Sequence, residues 1–285
     1  MSAPPAGGRR PSLTPGRLAG AVVVGVLAGA LSGLFGVGGG ILIVPGLVLL
    51  LGMEQRLAHG TSLAAIVPIA LSGVTAYALD GAVDWTSAGI LVIGAAGGAV
   101  IGTHALRRIS QRLLGLLFGV FLLLAAAEML ITIPQAGGRQ ELDVAMGLGL
   151  VGVGIASGTL AGLLGVGGGI VIVPALAILF SVPDAIAKGT SLAVIIPTGV
   201  VGTMRNLRNH TADLLHALLV GLFGVASAFV ASKVSVRLEP RLSSILFAGL
   251  LVVVAAQLLI RSAAGSRART DGGRTAPGTA PPSAR

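Results

Sequence analysis

The chain has 285 residues, of which 54% are hydrophobic and only 10% are charged, and its mean hydropathy is +0.97. A soluble globular domain carries about 25% charged residues, so these charges are too few to cover the surface of a soluble protein. The absence of cysteine excludes disulfides, thiolate metal sites and thiol nucleophiles. The composition therefore indicates an integral membrane protein.

The formal net charge of +9 comes from 19 Lys and Arg residues against 10 Asp and Glu residues. Most of the basic residues lie in the two tails and in short loops between apolar runs. This is the positive-inside distribution of a bilayer protein, so we expect no nucleic-acid partner. The tails at 1–16 and 262–285 are rich in small residues, Pro and Arg, and we expect both to be disordered and cytoplasmic.

Two motifs occur twice along the chain at one spacing. Residues 36–45 read GVGGGILIVP and residues 165–174 read GVGGGIVIVP, while residues 60–68 read GTSLAAIVP and residues 189–197 read GTSLAVIIP. In both cases the second copy follows the first by 129 residues (165 − 36 and 189 − 60). One register shared by two separate segments indicates a tandem duplication.

The duplication divides the chain into membrane repeat 1 at 17–133, a loop at 134–145 and membrane repeat 2 at 146–261. Each repeat contains five apolar segments, which we expect to be helices. They lie at about 17–36, 40–52, 56–79, 86–106 and 112–133, and at about 146–165, 169–181, 185–208, 214–235 and 241–261. The predicted fold is an all-α polytopic membrane helix bundle of two tandem repeats, inverted relative to each other, with 8–10 transmembrane segments.

The positive-inside rule distinguishes two arrangements of these segments. If all five segments of each repeat cross and the amino terminus is inside, the basic loop at 107–112 lies inside, and Asp80 and Asp84 lie outside. The alternative has four crossings per repeat, with the first two segments fused or re-entrant, and places both aspartates on the basic side. We favour five crossings, because an odd number inverts the second repeat, as in many secondary transporters.

The second segment of each repeat is short and follows three glycines. About 13 helical residues cover roughly 20 Å, against a hydrocarbon core near 30 Å, so we expect the glycine loop to lie inside the membrane. Its peptide N–H groups would face a water-filled cavity and bind an anion, helped by the positive end of the next helix. The alternative is that the glycines only allow close packing. The candidates are Gly38, Gly39, Gly40, Gly167, Gly168 and Gly169.

The GTS triplets are the second candidate site. We expect Gly60 and Gly189 to break the helix, so that Thr or Ser caps the piece that follows. Either the hydroxyls bind the substrate, or they bond only to the backbone. In an inverted pair, the glycine loop of one repeat approaches from the same side as the GTS triplet of the other. The candidate hydroxyls belong to Thr61, Ser62, Thr190 and Ser191.

Few ionisable residues lie in the apolar segments. His59 and Lys188 occupy the same repeat position, directly before GTS; they are either basic groups at the substrate mouth, which would suit an anion, or interfacial residues. Glu128 is a candidate proton or cation site or a snorkelling residue near a segment end. The histidines show no metal spacing and no nucleophile lies beside a base, so we expect no enzyme activity, no metal and no cofactor.

The doubled G-x-G-G-G-x-x-x-x-P motif at 36–45 and 165–174, together with the paired GTS segments, resembles the sulfite exporter TauE/SafE family over residues 17–261. The resemblance implies an integral plasma-membrane transporter of bacterial type for sulfite, sulfoacetate or another sulfur-containing or organic anion. It also implies seven or eight spans, fewer than the ten favoured above.

The sequence therefore predicts a multi-pass secondary transporter of the plasma membrane that exports a small anion by alternating access, with both termini in the cytoplasm. The anion is expected to be sulfite, an organosulfonate or a related organic anion. The other expected partner is the lipid bilayer, and the oligomeric state is left open. The alternatives are an anion channel and a membrane assembly or sensor subunit that does not transport.

Overall fold

The computed structural model describes residues 14–105, 111–131, 143–164 and 167–271. These residues form ten helices and no strand, which confirms the all-α prediction and the ten predicted segments. The helices are α1 (Pro15–Phe35), α2 (Gly40–Leu49), α3 (Gln55–Leu79), α4 (Trp85–Ala105), α5 (Gln111–Ile131), α6 (Val144–Leu164), α7 (Gly169–Leu179), α8 (Asp184–Arg208), α9 (Leu214–Arg237) and α10 (Pro240–Asp271).

The predicted tails and the loop between the repeats fall mostly on residues outside the described ranges. The described part of the predicted carboxyl-terminal tail, residues 262–271, continues α10 as helix. The boundaries of the two repeats stay predictions.

Two of the ten helices are too short to cross a bilayer. Helices α2 and α7 have 10 and 11 residues, or about 15 Å, against a hydrocarbon core of about 30 Å. The other eight have 21 residues or more, and six of them have the length and hydropathy of membrane spans within the described residues. The prediction of ten full crossings is therefore wrong for α2 and α7.

The short helix α2 turns back along α1. A Cβ atom added to Gly39 would lie 2.5 Å from the carbonyl oxygen of Ala28, and one added to Gly46 would lie 2.5 Å from Val24. Rising residue numbers in α2 therefore meet falling numbers in α1, as in a helical hairpin. Because α1 and α2 together return to the side where α1 begins, α3 starts from that side too.

Glycines pack α1 closely against α9. A Cβ atom on Gly25 would lie 2.5 Å from the carbonyl oxygen of Val220, and one on Gly33 would clash with the carbonyl oxygen of Ala228. Residue numbers rise together in the two helices, so α1 and α9 run parallel. Small residues allow backbones to approach this closely in membranes, where packing and not water exclusion holds helices together.

The pair α4 and α6 repeats this parallel packing. Gly94 lies against Val151, and a Cβ atom on Gly98 would clash with the carbonyl oxygen of Ile155. Since the 129-residue offset turns α1 into α6 and α4 into α9, the two pairs are equivalent under the duplication. The glycines of α6 pack in the same way, because a Cβ atom on Gly154 would clash with the carbonyl oxygen of Leu91 and one on Gly158 with that of Ala95.

The repeats are inverted, as the sequence predicts. Helices α3 and α8 are repeat counterparts, and they cross each other at the centre of the bundle. Gly73 of α3 lies against Leu192, whereas Gly202 of α8 lies against Leu63. Residue numbers rise in one helix as they fall in the other, so the two counterparts run antiparallel.

The helix directions define two ends of the bundle. At the Asp80 end, α3 and α9 finish, and Lys233 forms an ion pair with Asp80 at 2.9 Å. At the Arg208 end, α8 finishes beside the start of α3, where Gly60 packs against the carbonyl oxygen of Thr211. Asp80 therefore lies on the opposite side of the bundle from the start of α1. The five-crossing arrangement predicts this position of Asp80, even though α2 is too short to be one of the five crossings.

The contact between α4 and α6 predicts different effects for two neighbouring glycines. Gly98→Ala should lower the free energy of unfolding by about 1–3 kcal/mol, because the added methyl group overpacks the contact with Ile155. Gly97→Ala is the matched control, since nothing lies within 4 Å of a Cβ atom there and alanine favours helix. Thermal unfolding of the purified protein in detergent measures both, and equal stabilities of the two variants would contradict this packing.

Candidate functional site

Each short helix begins at a glycine turn whose backbone is left-handed. The φ angle is +83° at Gly38 and +71° at Gly39, and it is +87° at Gly167 and +76° at Gly168. L-residues with a side chain rarely adopt these angles. Gly39 and Gly168 are the N-cap residues of α2 and α7, and no side chain caps either helix. The glycines thus leave the N-termini of both helices bare.

The two glycine turns meet near the midpoints of α3 and α8. Gly38 and Gly167 both lie against Ile66 and Ile195, which occupy equivalent positions in the two repeats. Ile66 lies near the middle of the 25 residues of α3, and Ile195 lies near the middle of the 25 residues of α8. The turns are therefore about halfway through the bundle, as the short second segments predict.

Ser191 joins the GTS triplet of repeat 2 to the glycine turn of repeat 1. Its Oγ donates a hydrogen bond to the carbonyl oxygen of Gly36 at 2.8 Å. A Cβ atom on Gly169 would lie 2.7 Å from that same oxygen and 2.8 Å from Ser191 Oγ. The structure thus brings the turns of both repeats and one GTS serine together, as expected for an inverted pair.

The peptide N–H groups at the start of α2 and α7 have no acceptor among the described residues. Gly39 and Gly40 donate no hydrogen bond there, and neither do Gly168 and Gly169. The first N–H groups of any α-helix lack partners within the helix, and an acceptor usually comes from a cap or water. Here two positive helix ends present such donors to one central region.

The central region is closed in this conformation. Gly38 to Gly40 and Gly167 to Gly169 are buried, and Ile66 and Ile195 have no exposed surface. The water-filled cavity that we expected at the glycine amides is therefore not seen among the described residues. The turns touch side chains of α3 and α8 instead, so any ligand must reach them through a movement of these helices.

An open depression of about 410 Å³ lies elsewhere, between α3, α4 and α8. Its lining is apolar apart from one threonine, which does not suit an anion. Several of its residues are among the exposed hydrophobic side chains that form the lipid-facing surface. The lining residues are Leu71, Val74, Thr75, Ala78, Leu79, Trp85 and Ile196.

The GTS triplets do not break their helices. Helices α3 and α8 each run without interruption through the triplets, so the predicted break at Gly60 and Gly189 is wrong. The glycines serve close packing instead: a Cβ atom on Gly60 would clash with the carbonyl oxygen of Thr211, and one on Gly189 with that of Ala82. Each triplet thus presses against the helix–helix turn of the other repeat.

The threonine of each triplet accepts a hydrogen bond from the backbone of the opposite repeat. Thr61 Oγ1 accepts a hydrogen bond from the N–H of Asp213 at 2.9 Å, and Thr190 Oγ1 accepts one from the N–H of Asp84 at 3.0 Å. These bonds to backbone agree with the structural alternative. Because each hydroxyl acts only as an acceptor here, its own proton remains unbonded among the described residues.

The remaining sequence candidates do not gather at the glycine turns. Ser62 Oγ donates to the carbonyl oxygen of His59 at 3.0 Å, and His59 is half-buried in the second turn of α3. Glu128 is exposed near the end of α5, which agrees with a snorkelling position. The roles of these three residues stay predictions.

Lys188 is wholly buried inside the protein. Its Nζ lies 2.6 Å from Asp184 Oδ2, and it donates to Ser235 Oγ at 3.2 Å and to Ser243 Oγ. Ser243 Oγ donates in turn to Asp184 Oδ2 at 2.7 Å. The ring of Phe35 lies 6.0 Å from the ammonium group. Four helices thus meet at one buried cation.

The sequence reasoning missed the partners of Lys188. Asp184 carries a signal that could have been used, because it lies four residues before Lys188, the spacing of ion pairs on a helix. Ser235 and Ser243 come from α9 and α10, and no local pattern relates them to Lys188. The isoleucines at the centre, Ile66 and Ile195, have no signal beyond their repeat position.

A family comparison agrees with this architecture. The model of the family described as "Sulfite exporter TauE/SafE" matches residues 2–129 and 150–284, one match in each predicted repeat. The chain belongs to the sulfite exporter TauE/SafE family. It is therefore a multi-pass membrane transporter, and the resemblance seen in the two motifs is confirmed.

Three curated relatives of this TauE/SafE chain carry similar names. A "Probable membrane transporter protein" of Xylella fastidiosa is 30% identical over 244 residues, covering 84% of this chain and 93% of the relative. "Probable membrane transporter protein YunE" of Bacillus subtilis is 28% identical over 247 residues, covering 78% and 89%. A relative from Methanocaldococcus jannaschii is 28% identical over 256 residues, covering 84% and 94%. No solved structure matches the chain.

The geometry of the turns predicts that Gly39 is needed for folding as well as for any ligand. Gly39→Ala combines a left-handed residue, which costs about 1–2 kcal/mol, with a contact 2.5 Å from the backbone of Ala28. Gly81→Ala is the matched control, because φ is +66° at Gly81 and nothing lies within 4 Å. We expect Gly39→Ala to unfold at a clearly lower temperature than Gly81→Ala; equal melting temperatures would show that the turn is not tightly packed.

Proposed function

We propose that this TauE/SafE transporter carries a small anion through the centre of the bundle by alternating access between its inverted halves. The candidate anions are sulfite, an organosulfonate and related organic anions. One observation carries the proposal: the bare N-termini of α2 and α7 meet beside Ile66 and Ile195, with peptide N–H groups that lack acceptors among the described residues.

Donors of this kind suit an anion. Peptide N–H groups at a helix start bind anions because they are aligned with the positive end of the helix dipole. The hydroxyl protons of Thr61 and Thr190 are also uncharged donors, but they lie at opposite ends of the bundle, beside Asp213 and Asp84. The amide N–H groups are therefore the donors that an anion would meet at the centre. A cation would meet the unfavourable end of both dipoles.

The name of the family guides the choice of anion. The family is named for sulfite export, whereas the curated relatives are named only as membrane transporter proteins. Sulfite is therefore the first anion to test, and sulfoacetate represents the organosulfonates. Both offer oxygen atoms that accept hydrogen bonds from several donors at once.

Alternating access follows naturally from the inverted repeats. Helices α3 and α8 are repeat counterparts and run antiparallel. A movement of repeat 1 that opens one end of the bundle therefore has an equivalent movement of repeat 2 that opens the opposite end. Both movements would expose the same central turns. The burial of both turns fits a closed state between these two openings.

The charge distribution supports an orientation with the termini in the cytoplasm. Arg17, Arg205 and Arg208 lie at the Arg208 end, and the Arg-rich tail follows α10, which runs towards that end. Asp80 and Asp84 lie at the other end, where Lys233, Arg237 and Arg241 are the exception to the distribution. By the positive-inside rule, the Arg208 end faces the cytoplasm across the plasma membrane. An inside-negative potential then favours anion exit by about 2.3 kcal/mol per charge per 100 mV, so export is the expected direction.

The carrier can be tested by flux in proteoliposomes. Purified protein should accelerate uptake of radiolabelled sulfite into vesicles preloaded with unlabelled sulfite, and the uptake should saturate. Sulfoacetate should compete, and taurine and chloride should not. Heat-unfolded protein in matched vesicles is the control for leakage.

The two rival functions give different results in the same system. An anion channel would show ohmic single-channel currents and no counterflow of labelled solute. An assembly or sensor subunit would show no flux with any of these anions.

The chain offers a direct test of opening, because it contains no cysteine. Ile66→Cys and Ile195→Cys each introduce a sole thiol at the closed centre. Alternating access predicts that a membrane-impermeant methanethiosulfonate reagent labels both thiols slowly, and that sulfoacetate, which does not react with the reagent as sulfite does, changes the rate severalfold.

Val253→Cys is the control for this labelling experiment. Val253 is 65% exposed on the surface of α10, where lipid surrounds it in a membrane, so the impermeant reagent should leave Val253→Cys unlabelled with or without sulfoacetate. If neither central thiol reacts under any condition while the protein transports sulfite, the anion takes another path and the central site is wrong.

A further inference from the structure

The ion pair of Lys188 and Asp184 is present in one half of the duplicated molecule and missing from the other. The 129-residue offset places Gln55 at the position of Asp184 and His59 at the position of Lys188. Repeat 1 therefore has no lysine–carboxylate pair at these two positions. Burying two charges is unfavourable unless they are well paired, and neutral side chains often stabilise as well. The fold alone does not explain why repeat 2 keeps the pair.

Lys188 is also tied to the central glycine turn. A Cβ atom on Gly36 would lie 2.6 Å from the Cα of Lys188, so the two backbones are in contact. One helical turn further along α8, Ser191 donates its hydrogen bond to the carbonyl oxygen of the same glycine. A movement of the Lys188 backbone would therefore also shift the glycine turn whose amide N–H groups lack acceptors.

The ammonium group of Lys188 has no donor to spare in the closed conformation. It has three N–H bonds, and it has three oxygen partners: Asp184 Oδ2, Ser235 Oγ and Ser243 Oγ. An anion that binds Lys188 must displace one of them. Asp184 is the partner whose charge an incoming anion can replace, so exchange with Asp184 keeps the ammonium group paired.

Asp184 is placed so that it can leave. It lies in the first turn of α8, where the helix dipole stabilises a carboxylate without help from Lys188. Its Oδ1 has no hydrogen-bond partner among the described residues, and its side chain is 13% exposed, against 0% for Lys188. The other charged groups on the packed elements are turned away: Lys233 pairs with Asp80, and Arg237, Glu239 and Arg241 are exposed.

We propose that Asp184 is a built-in competitor of the transported anion: it holds Lys188 while the carrier is empty and gives it up when the anion arrives from the central turns. Lys188 then contacts the anion, and the departure of Asp184 breaks the hydrogen bond that its Oδ2 accepts from Ser243 Oγ, which loosens α8 from α10 at the Asp80 end. This inference rests on the proposed anion transport and adds the charged contact that the amide donors lack.

The test compares the apparent KM for sulfite of single variants in proteoliposomes. Lys188→Gln removes the charged contact, so the KM should rise tenfold or more. Asp184→Asn removes the competitor and leaves Lys188 free to bind, so the KM should fall severalfold. A purely structural ion pair predicts changes in the same direction for both variants, because each would leave one unpaired charge in the interior; that result would overturn the proposal.

A double variant guards against misfolding of the single ones. Asp184→Gln with Lys188→His copies the residues that repeat 1 already holds at these positions, so it should fold and insert. We expect it to raise the KM as Lys188→Gln does. A wild-type KM in this variant would overturn the proposal, whatever the single variants do.

The wild-type control separates the two proposals. If the unaltered protein shows no saturable sulfite or sulfoacetate counterflow, the proposed function fails. If it transports one of these anions and the two single variants shift the KM in the same direction, only the role of Asp184 fails.

Discussion

The need to satisfy backbone hydrogen bonds inside a bilayer governs this structure. Irregular backbone at membrane depth has no water to bond to, and each unpaired peptide group there is costly. The long helices avoid most of this cost within their lengths, apart from one internal proline each in α3 and α8. The chain departs from regular helix at the two glycine turns beside Ile66 and Ile195, and both departures fall at one place. A fold that concentrates its unpaired donors in this way is prepared to receive an acceptor.

Tight glycine packing makes such a centre possible. Helix α1 is fastened to α9, and α6 is fastened to α4, by contacts too close for a side chain. These two parallel pairs act as stiff frames, and each carries one short helix, α2 or α7. The frames touch through α3 and α8, which cross as antiparallel counterparts. In the proposed alternating access, movement of one frame against the other would open the centre without breaking either frame.

Much of this architecture follows from one number in the sequence. The constant offset between the copies of GVGGG and GTS predicts the duplication. The odd number of segments in each repeat predicts the inversion and, with it, the approach of the GTS triplet to the glycine turn of the other repeat. The shortness of α2 follows from residue count. The prediction that fails is a local one. The GTS triplet resembles a helix break, yet α3 and α8 continue through it. Gly60 and Gly189 are glycines because each packs against a carbonyl oxygen of the opposite repeat, a contact between residues far apart in the sequence.

Contacts between residues far apart in the sequence also surround Lys188, so the sequence does not predict them. Its partners come from α8, α9 and α10, so only the carboxylate four residues away leaves a pattern in the sequence.

A duplicated scaffold also makes asymmetry informative. Two inverted copies with identical residues would give openings of equal free energy at the two ends of the bundle. The Asp80 end has a buried ion pair with two serines, whereas the residues at the equivalent positions of the first repeat are Gln55 and His59. Closing the Asp80 end therefore forms hydrogen bonds from the Lys188 ammonium group to α9 and α10, and the first repeat has no lysine at the equivalent position to form them. An anion that competes for Lys188 removes this difference, so binding itself would favour opening at the Asp80 end, the side from which an exported anion has to leave.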